Sequence, residues 1–132
     1  MSEYIQHLQD VFARFGPVRG RRMFGGWGIY RDDVMFGLVA DEMLYLKVDQ
    51  ENEGFFEEAG LPSFVYRSGE KSVRMSYRLA PDAIFDDPVD AATWAERSYA
   101  AGQRAIAARE GRGKQPKGKR SKDGPVGTGR RP

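Results

Sequence analysis

Two rhythms of apolar and polar positions run along this chain, and the change from one to the other marks its elements. Tyr4, Ile5, Leu8, Val11, Phe12 and Phe15 recur at three- and four-residue steps, the period of one helix face. The spacing predicts a helix over residues 3–15. Ser2 would be its N-cap and Gly16-Pro17 its stop, since glycine suits the position after a helix and proline cannot continue one. From residue 18 the pattern shortens to β-prone runs at 18–23, 27–31, 34–40 and 43–48, punctuated by Phe24-Gly25-Gly26, Asp32-Asp33 and Asp41-Glu42. Turns this short join antiparallel neighbours, so the segment predicts a meander.

The second half alternates strands with helices. Asp49 reads as the cap of a short helix over residues 50–59, with Phe55 and Phe56 on its buried side and Gly60 and Pro62 closing it. Residues 64–67 and 72–79 read as two strands around a Ser68-Gly69 turn. Asp87-Pro88 is an N-cap followed by proline at the first helical position. The helix it opens is predicted to run to about Arg109, with Val89, Ala92, Trp94, Ala95, Tyr99 and Ile106 available for packing. The fold class is therefore α+β: a single domain with an antiparallel β-sheet and N-terminal, middle and C-terminal helices packed on it.

Charge divides the chain into two parts. Residues 1–108 hold 12 Lys/Arg against 17 Asp/Glu, a net −5, whereas residues 109–132 hold nine basic groups against two acidic ones, a net +7. That second part has six glycines, three prolines and one apolar residue after Gly111, Val126. It cannot bury enough surface to offset its ordering entropy, so a folded domain over 1–108 and a disordered basic tail over 109–132 are expected. Flexible cations suit phosphate neutralisation without base readout. The candidate nucleic-acid contacts are Arg112, Lys114, Lys117, Lys119, Arg120, Lys122, Arg130 and Arg131, and the expected ligand is DNA or RNA of any sequence.

Other chemistries find little support. The chain has no cysteine and one histidine, His7, which removes thiol chemistry and zinc–cysteine or histidine-cluster sites. No metal, no cofactor and no catalytic set is expected. Gly25-Gly26-Trp27-Gly28 matches neither phosphate-binding glycine motif and precedes a strand rather than a helix, so it reads as a bend or bulge that needs glycine. The acidic pairs occupy turns and caps, where carboxylates serve backbone geometry. Arg19, Arg21 and Arg22 form the candidate anion or partner site of the folded part, with Arg19 and Arg21 on one face of a strand. No apolar run approaches the length of a membrane span and no secretory signal precedes the first helix, which leaves a cytoplasmic protein without membrane contact as the expectation.

Several of these segments together resemble a known family. Phe15-Gly16-Pro17-Val18, Arg21-Arg22-Met23-Phe24-Gly25-Gly26-Trp27-Gly28-Ile29-Tyr30, Met35-Phe36-Gly37-Leu38-Val39-Ala40-Asp41 and Leu44-Tyr45-Leu46-Lys47-Val48-Asp49 are similar to the N-terminal domain of the TfoX/Sxy family. Phe64-Val65-Tyr66, Met75-Ser76-Tyr77, Pro81 and Trp94 fall where that domain has similar residues. The resemblance covers residues 4–108. It implies a compact α+β unit without established catalytic residues, and a regulator of competence genes that acts with a transcription activator. Full-length members resemble two domains, the second helical and related to DNA-binding helix–hairpin–helix units. Here a short basic tail follows instead, which points to a stand-alone domain. The expected function is a small non-enzymatic regulatory or adaptor protein. It would bind a protein partner such as the transcription machinery through its body, and nucleic acid through its tail. The other reading is a small-molecule-binding protein or cryptic enzyme that uses Arg19–Arg22 and Gly25–Gly28.

Overall fold

The computed structural model describes residues 3–23 and 25–114. In chain order the elements are α1 (Glu3–Val11), β1 (Arg19–Met23), β2 (Gly26–Arg31), β3 (Val34–Ala40), β4 (Met43–Lys47), α2 (Glu53–Glu58), β5 (Ser63–Ser68), β6 (Lys71–Leu79), a 3₁₀ turn (Asp82–Phe85) and α3 (Pro88–Lys114). The six strands form one antiparallel sheet in the order β1-β2-β3-β4-β6-β5. The α+β architecture expected from the patterning is the observed one.

The meander follows from its turns. Asp32 has φ +53°, and Asp41 and Glu42 have φ +52° and +56°. Two consecutive left-handed residues between Ala40 and Met43 make the tight hairpin whose twist matches that of the strands. A register shift follows at the β2–β3 pair: Ile29 faces Gly37, but Tyr30 faces Met35. Phe36 is thereby left over as a bulge. It turns inward against Phe12 and Phe15, at ring-centroid distances of 5.5 and 5.0 Å, while Met35 goes to the opposite face.

The helices pack mainly on one face of the sheet, and the C-terminal turns of α3 extend past it beside Tyr30, Met35, Lys47 and Tyr77. Ile5, Leu8, Val11, Phe12 and Phe15 meet Ile29, Phe36, Val39, Leu44 and Leu46, and these residues form the buried core. The first helix ends at Val11, four residues short of the expected end. Residues 12–15 continue as turns, in which Phe12 N–H donates to Leu8 O, and Phe15 and Gly16 N–H both donate to Phe12 O. This tighter path still points Phe12 and Phe15 inward. Ser2, the expected cap, lies outside the described residues.

The second helix also starts later than expected. Asp49 Oδ1 accepts the N–H groups of Glu51 and Asn52, so its carboxylate shapes the turn before α2, and Asn52 occupies the N-cap. Asn52 is buried, and it accepts from Asp49 N–H at 2.8 Å and donates to Lys47 O at 3.0 Å. Phe56 enters the core and stacks edge-on against Trp94, but Phe55 is exposed, with the Arg97 guanidinium over its ring. A six-residue helix has one inward face, and two consecutive residues cannot share it.

Asp87 does cap α3, accepting the N–H groups of Val89 and Asp90 at 3.1 Å each. Val89, expected in the packing, is exposed. The buried stripe consists instead of Ala91, Ala95, Ser98, Ala101 and Gly102, small residues that let the helix lie close to the sheet. A Cβ on Gly102 would stand 2.7 Å from Val34 Cγ1 and 2.8 Å from Met35 O. The helix runs to Lys114, beyond the expected end near Arg109. Arg104 then ties α3 to the loop before α2: Nε and Nη2 donate to Asp49 Oδ2 and Oδ1 at 2.6 and 3.1 Å, and Glu51 lies 3.2 Å from Nε.

Two outcomes test this packing. Phe12 is fully buried among aromatic rings, so Phe12→Ala should destabilise the domain by about 3–5 kcal/mol, read as a lowered urea midpoint. The Arg104 hydrogen bond is the first cause that holds the Asp49 carboxyl below its ordinary value of 3.8. Its contribution to stability is therefore complete above that value and is lost as pH falls through the depressed one. Urea unfolding from pH 7 down to pH 2 should show an acid limb that Asp49→Asn flattens; an unchanged limb would show that the pair adds nothing.

Candidate functional site

The other face of the sheet carries an apolar surface that is open apart from the C-terminal turns of α3. Strand alternation sends Met23, Met35, Leu38, Phe64, Tyr66, Val73, Met75 and Tyr77 to it. Together they line a hollow of about 340 Å³ that also touches Gly26 and Ala40. Met23 and Gly26 come from β1 and β2, and Phe64, Tyr66 and Val73 from β5 and β6, at the opposite edge of the sheet. The sheet must curl for both edges to border one hollow. Leu38 and Tyr77 are buried at its floor, whereas Tyr66 and Val73 are exposed on its rim. Tyr45 packs on Phe64 with centroids 4.8 Å apart and steadies the β5 side.

Glycines keep the floor and the entrance low. Gly28 pairs with Leu38 across β2–β3, and a Cβ there would press on the methyl ends of Met23 and Met35 and on the Tyr30 ring. Of the glycines before Trp27, Gly25 has φ +77°, a conformation that L side chains rarely adopt. Gly26 lies in β2 with its backbone so close to β3 that a Cβ would overlap the Val39 carbonyl. The segment is a bend followed by a close backbone approach, and each requirement falls on a different glycine.

A second hollow, of about 360 Å³, adjoins the first. Tyr30, Asp33, Met35, Lys47, Tyr77, Gly102, Ala105, Ile106 and Arg109 line it, and Met35 and Tyr77 belong to both. Lys47 donates to Ser76 Oγ at 2.8 Å and lies over the Tyr77 ring. Burial, and then the neighbouring Arg109 charge, lower the Lys47 pKa, against a smaller opposing pull from Asp49. Burial pushes the Tyr77 hydroxyl up to about 12, with the nearby Tyr30 adding to the shift.

The three candidate arginines divide between the two faces of β1, Arg19 and Arg21 on one and Arg22 on the other. Arg19 sits over the Tyr30 ring at 4.9 Å, donates to Asp32 O and lies 3.6 Å from Asp33. Arg22 leans on Trp27 at 5.4 Å, three strand positions from Arg19 and so on the opposite face. Arg21 is exposed opposite Gly28. Among the tail cations, Arg112 and Lys114 fall within α3, and Lys117, Lys119, Arg120, Lys122, Arg130 and Arg131 lie outside the described residues. Lys47, Tyr77 and Arg109 escaped the sequence reading as a group. The alternation of Leu44, Leu46 and Val48 with Tyr45 and Lys47 puts Lys47 on the less apolar face of its strand, but no local pattern sets β6 as the partner strand. His7 stacks on Phe85 at 6.1 Å, and no three His, Asp or Glu among the described residues gather as metal ligands.

A curled antiparallel sheet with helices mainly on one face and an apolar hollow on the other defines a small α+β domain. The TfoX N-terminal domain family matches residues 10–102, and the chain belongs to that family. It is similar to the DNA transformation protein TfoX1 of Aliivibrio fischeri, 39% identical over 64 residues, which are 46% of this chain and 31% of that protein. It is also similar to the Protein Sxy of Escherichia coli, 24% identical over 81 residues, which are 61% of this chain and 39% of that protein. The match thus spans about a third of the length of these relatives. No helix among the described residues is long and apolar enough to cross a membrane.

The two glycines give a graded expectation. Gly25→Ala should cost about 1 kcal/mol through its positive φ. Gly26→Ala should cost more, toward the upper end of about 1–3 kcal/mol, because backbone must move. Urea midpoints measured side by side check the order, and equal shifts would contradict the close β2–β3 approach.

Proposed function

We propose that this chain is a TfoX-type regulator that works by binding rather than by catalysis. The folded body contacts a protein partner, and the basic segment 109–132 adds a sequence-independent contact to nucleic acid. The observation that carries the reading is the β5–β6 hairpin. It ends the sheet with an edge strand and exposes Val65, Tyr66 and Val73 at 38, 36 and 52%, beside the exposed cations Arg67, Lys71 and Arg74. An apolar edge of this kind is a ready template for another chain, and isolated proteins usually blunt it. Membership of the TfoX family and the likeness to a protein named for DNA transformation support a regulatory role over an enzymatic one.

The hairpin reading predicts that Val65→Lys with Val73→Lys abolishes partner capture from nuclease-treated extract, with folding stability changed by no more than about 1 kcal/mol for two exposed sites. Retained capture would move the contact elsewhere on the body. The nucleic-acid contact carries its own test. If the net +7 of residues 109–132 neutralises about six phosphates, log K should fall with log salt at a slope near −5. Affinity then drops roughly 10³-fold between 50 and 200 mM salt, with little preference among sequences. Replacing Lys117, Lys119, Arg120 and Lys122 by Gln in the full chain should flatten that slope by three to four, about 0.9 per lost contact. Anisotropy titration of both forms reads it, and identical slopes would place the contact on the body.

A further inference from the structure

The paired hollows on the open face are a head-and-tail site. We infer that they bind a single-chain amphiphile, its apolar tail among Met23, Met35, Leu38 and Met75 and its anionic head between Lys47 and Arg109. The first hollow supplies the tail site. Its lining is apolar, with three methionines whose unbranched thioethers adapt to a flexible chain. Its volume of about 340 Å³ falls at the lower end of ligand pockets, which begin at about 300 Å³.

The second hollow supplies the head site. It lies beside the first, with Met35 and Tyr77 lining both, so a chain seated in the apolar part ends next to the charged part. Two cations of the same sign line it, Lys47 on β4 and Arg109 on α3, together with the phenols of Tyr30 and Tyr77. Among the described residues neither cation has a carboxylate within ion-pair distance, and the one acid in the lining, Asp33, pairs with Arg19. Like charges brought together at a partly desolvated place repel unless an anion lies between them. A carboxylate or phosphate monoester there would accept hydrogen bonds from the ammonium, the guanidinium and the phenol groups. A cationic or purely neutral chain would satisfy the tail hollow and leave the repulsion in place.

The hollows share Tyr66 and Val73 with the proposed edge contact and Arg109 with the basic segment, but the test below needs neither a protein partner nor nucleic acid, so its failure and the failure of the proposed function are distinguishable. The test uses the full chain with ¹³C-labelled methionine methyl groups. Decanoate and decyl phosphate are added below their micelle concentrations, and the two arms separate a carboxylate from a phosphate head. Either ligand should shift Met23, Met35 and Met75 saturably and leave Met43, outside both hollows, unmoved. Affinity should rise about fourfold per methylene from octanoate to dodecanoate, as each buried CH₂ adds its transfer free energy. Decyltrimethylammonium should bind at least about tenfold more weakly, and Arg109→Gln, at an exposed helix position, should weaken decanoate by about tenfold. Lys47→Gln should do the same, and Arg21→Gln should not. The inference is overturned if neither anion shifts the three methionines, if the cationic detergent binds equally, or if both Lys47→Gln and Arg109→Gln bind as the parent does.

Discussion

The close crossing of α3 over β3 is the contact on which the rest of the domain depends. At Gly102 the helix backbone meets Val34 and the Met35 carbonyl with no room for a Cβ, and the neighbouring buried positions are Ala91, Ala95, Ser98 and Ala101. Small side chains give up individual burial area so that larger ones elsewhere can reach their partners. From this seat the same helix brings Tyr99 edge-on to Phe15 and Trp94 to Phe56. Arg31 fits between Phe15 and Tyr99, and Arg104 reaches Asp49. One helix therefore joins the end of α1, the β2 strand, α2 and the loop before it. The buried Ser98 hydroxyl on this stripe has no hydrogen-bond partner among the described residues, which costs stability.

A sheet has two apolar faces to cover, and this chain covers mainly one. The helices and the 3₁₀ turn gather on the side of Phe36, Val39, Leu44 and Leu46, while Met35, Leu38 and Tyr77 face the other way. Curling partly shelters that second face, because it brings the β1 side and the β5–β6 side to border one hollow. Leu38 and Tyr77 are both buried there, Tyr77 beside the C-terminal turns of α3. The result is an apolar recess held open by backbone geometry, through the Phe36 bulge, the Gly28 floor and the tight β2–β3 approach at Gly26.

Much of the fold was legible before any coordinates. The α1 stripe, the two-residue acidic turns, the Gly25 bend and the Asp87-Pro88 helix start are local features, each fixed by period, propensity or φ preference within a few residues. The misplacements have local causes as well. Asp49 could serve as a helix cap or as the carboxylate of the preceding turn, and both uses look alike in sequence. Phe55 and Val89 read as core residues because apolar identity does not say which face of a short helix or first turn meets the sheet.

What the sequence determined by itself was the set of elements, their antiparallel habit, the α+β class and the split into an acidic body and a basic C-terminal segment. All of these follow from short-range pattern or from counting charges. Only the tertiary structure decided that β6 rather than β5 pairs with β4, that the bulge at Phe36 sends Met35 to the open face, and that Lys47, Tyr77 and Arg109 share one hollow. Lys47 and Arg109 are 62 positions apart in the chain. Their meeting depends on a strand pairing and a helix crossing at once, and contacts of that range come from how the elements pack against one another rather than from any pattern within a single element.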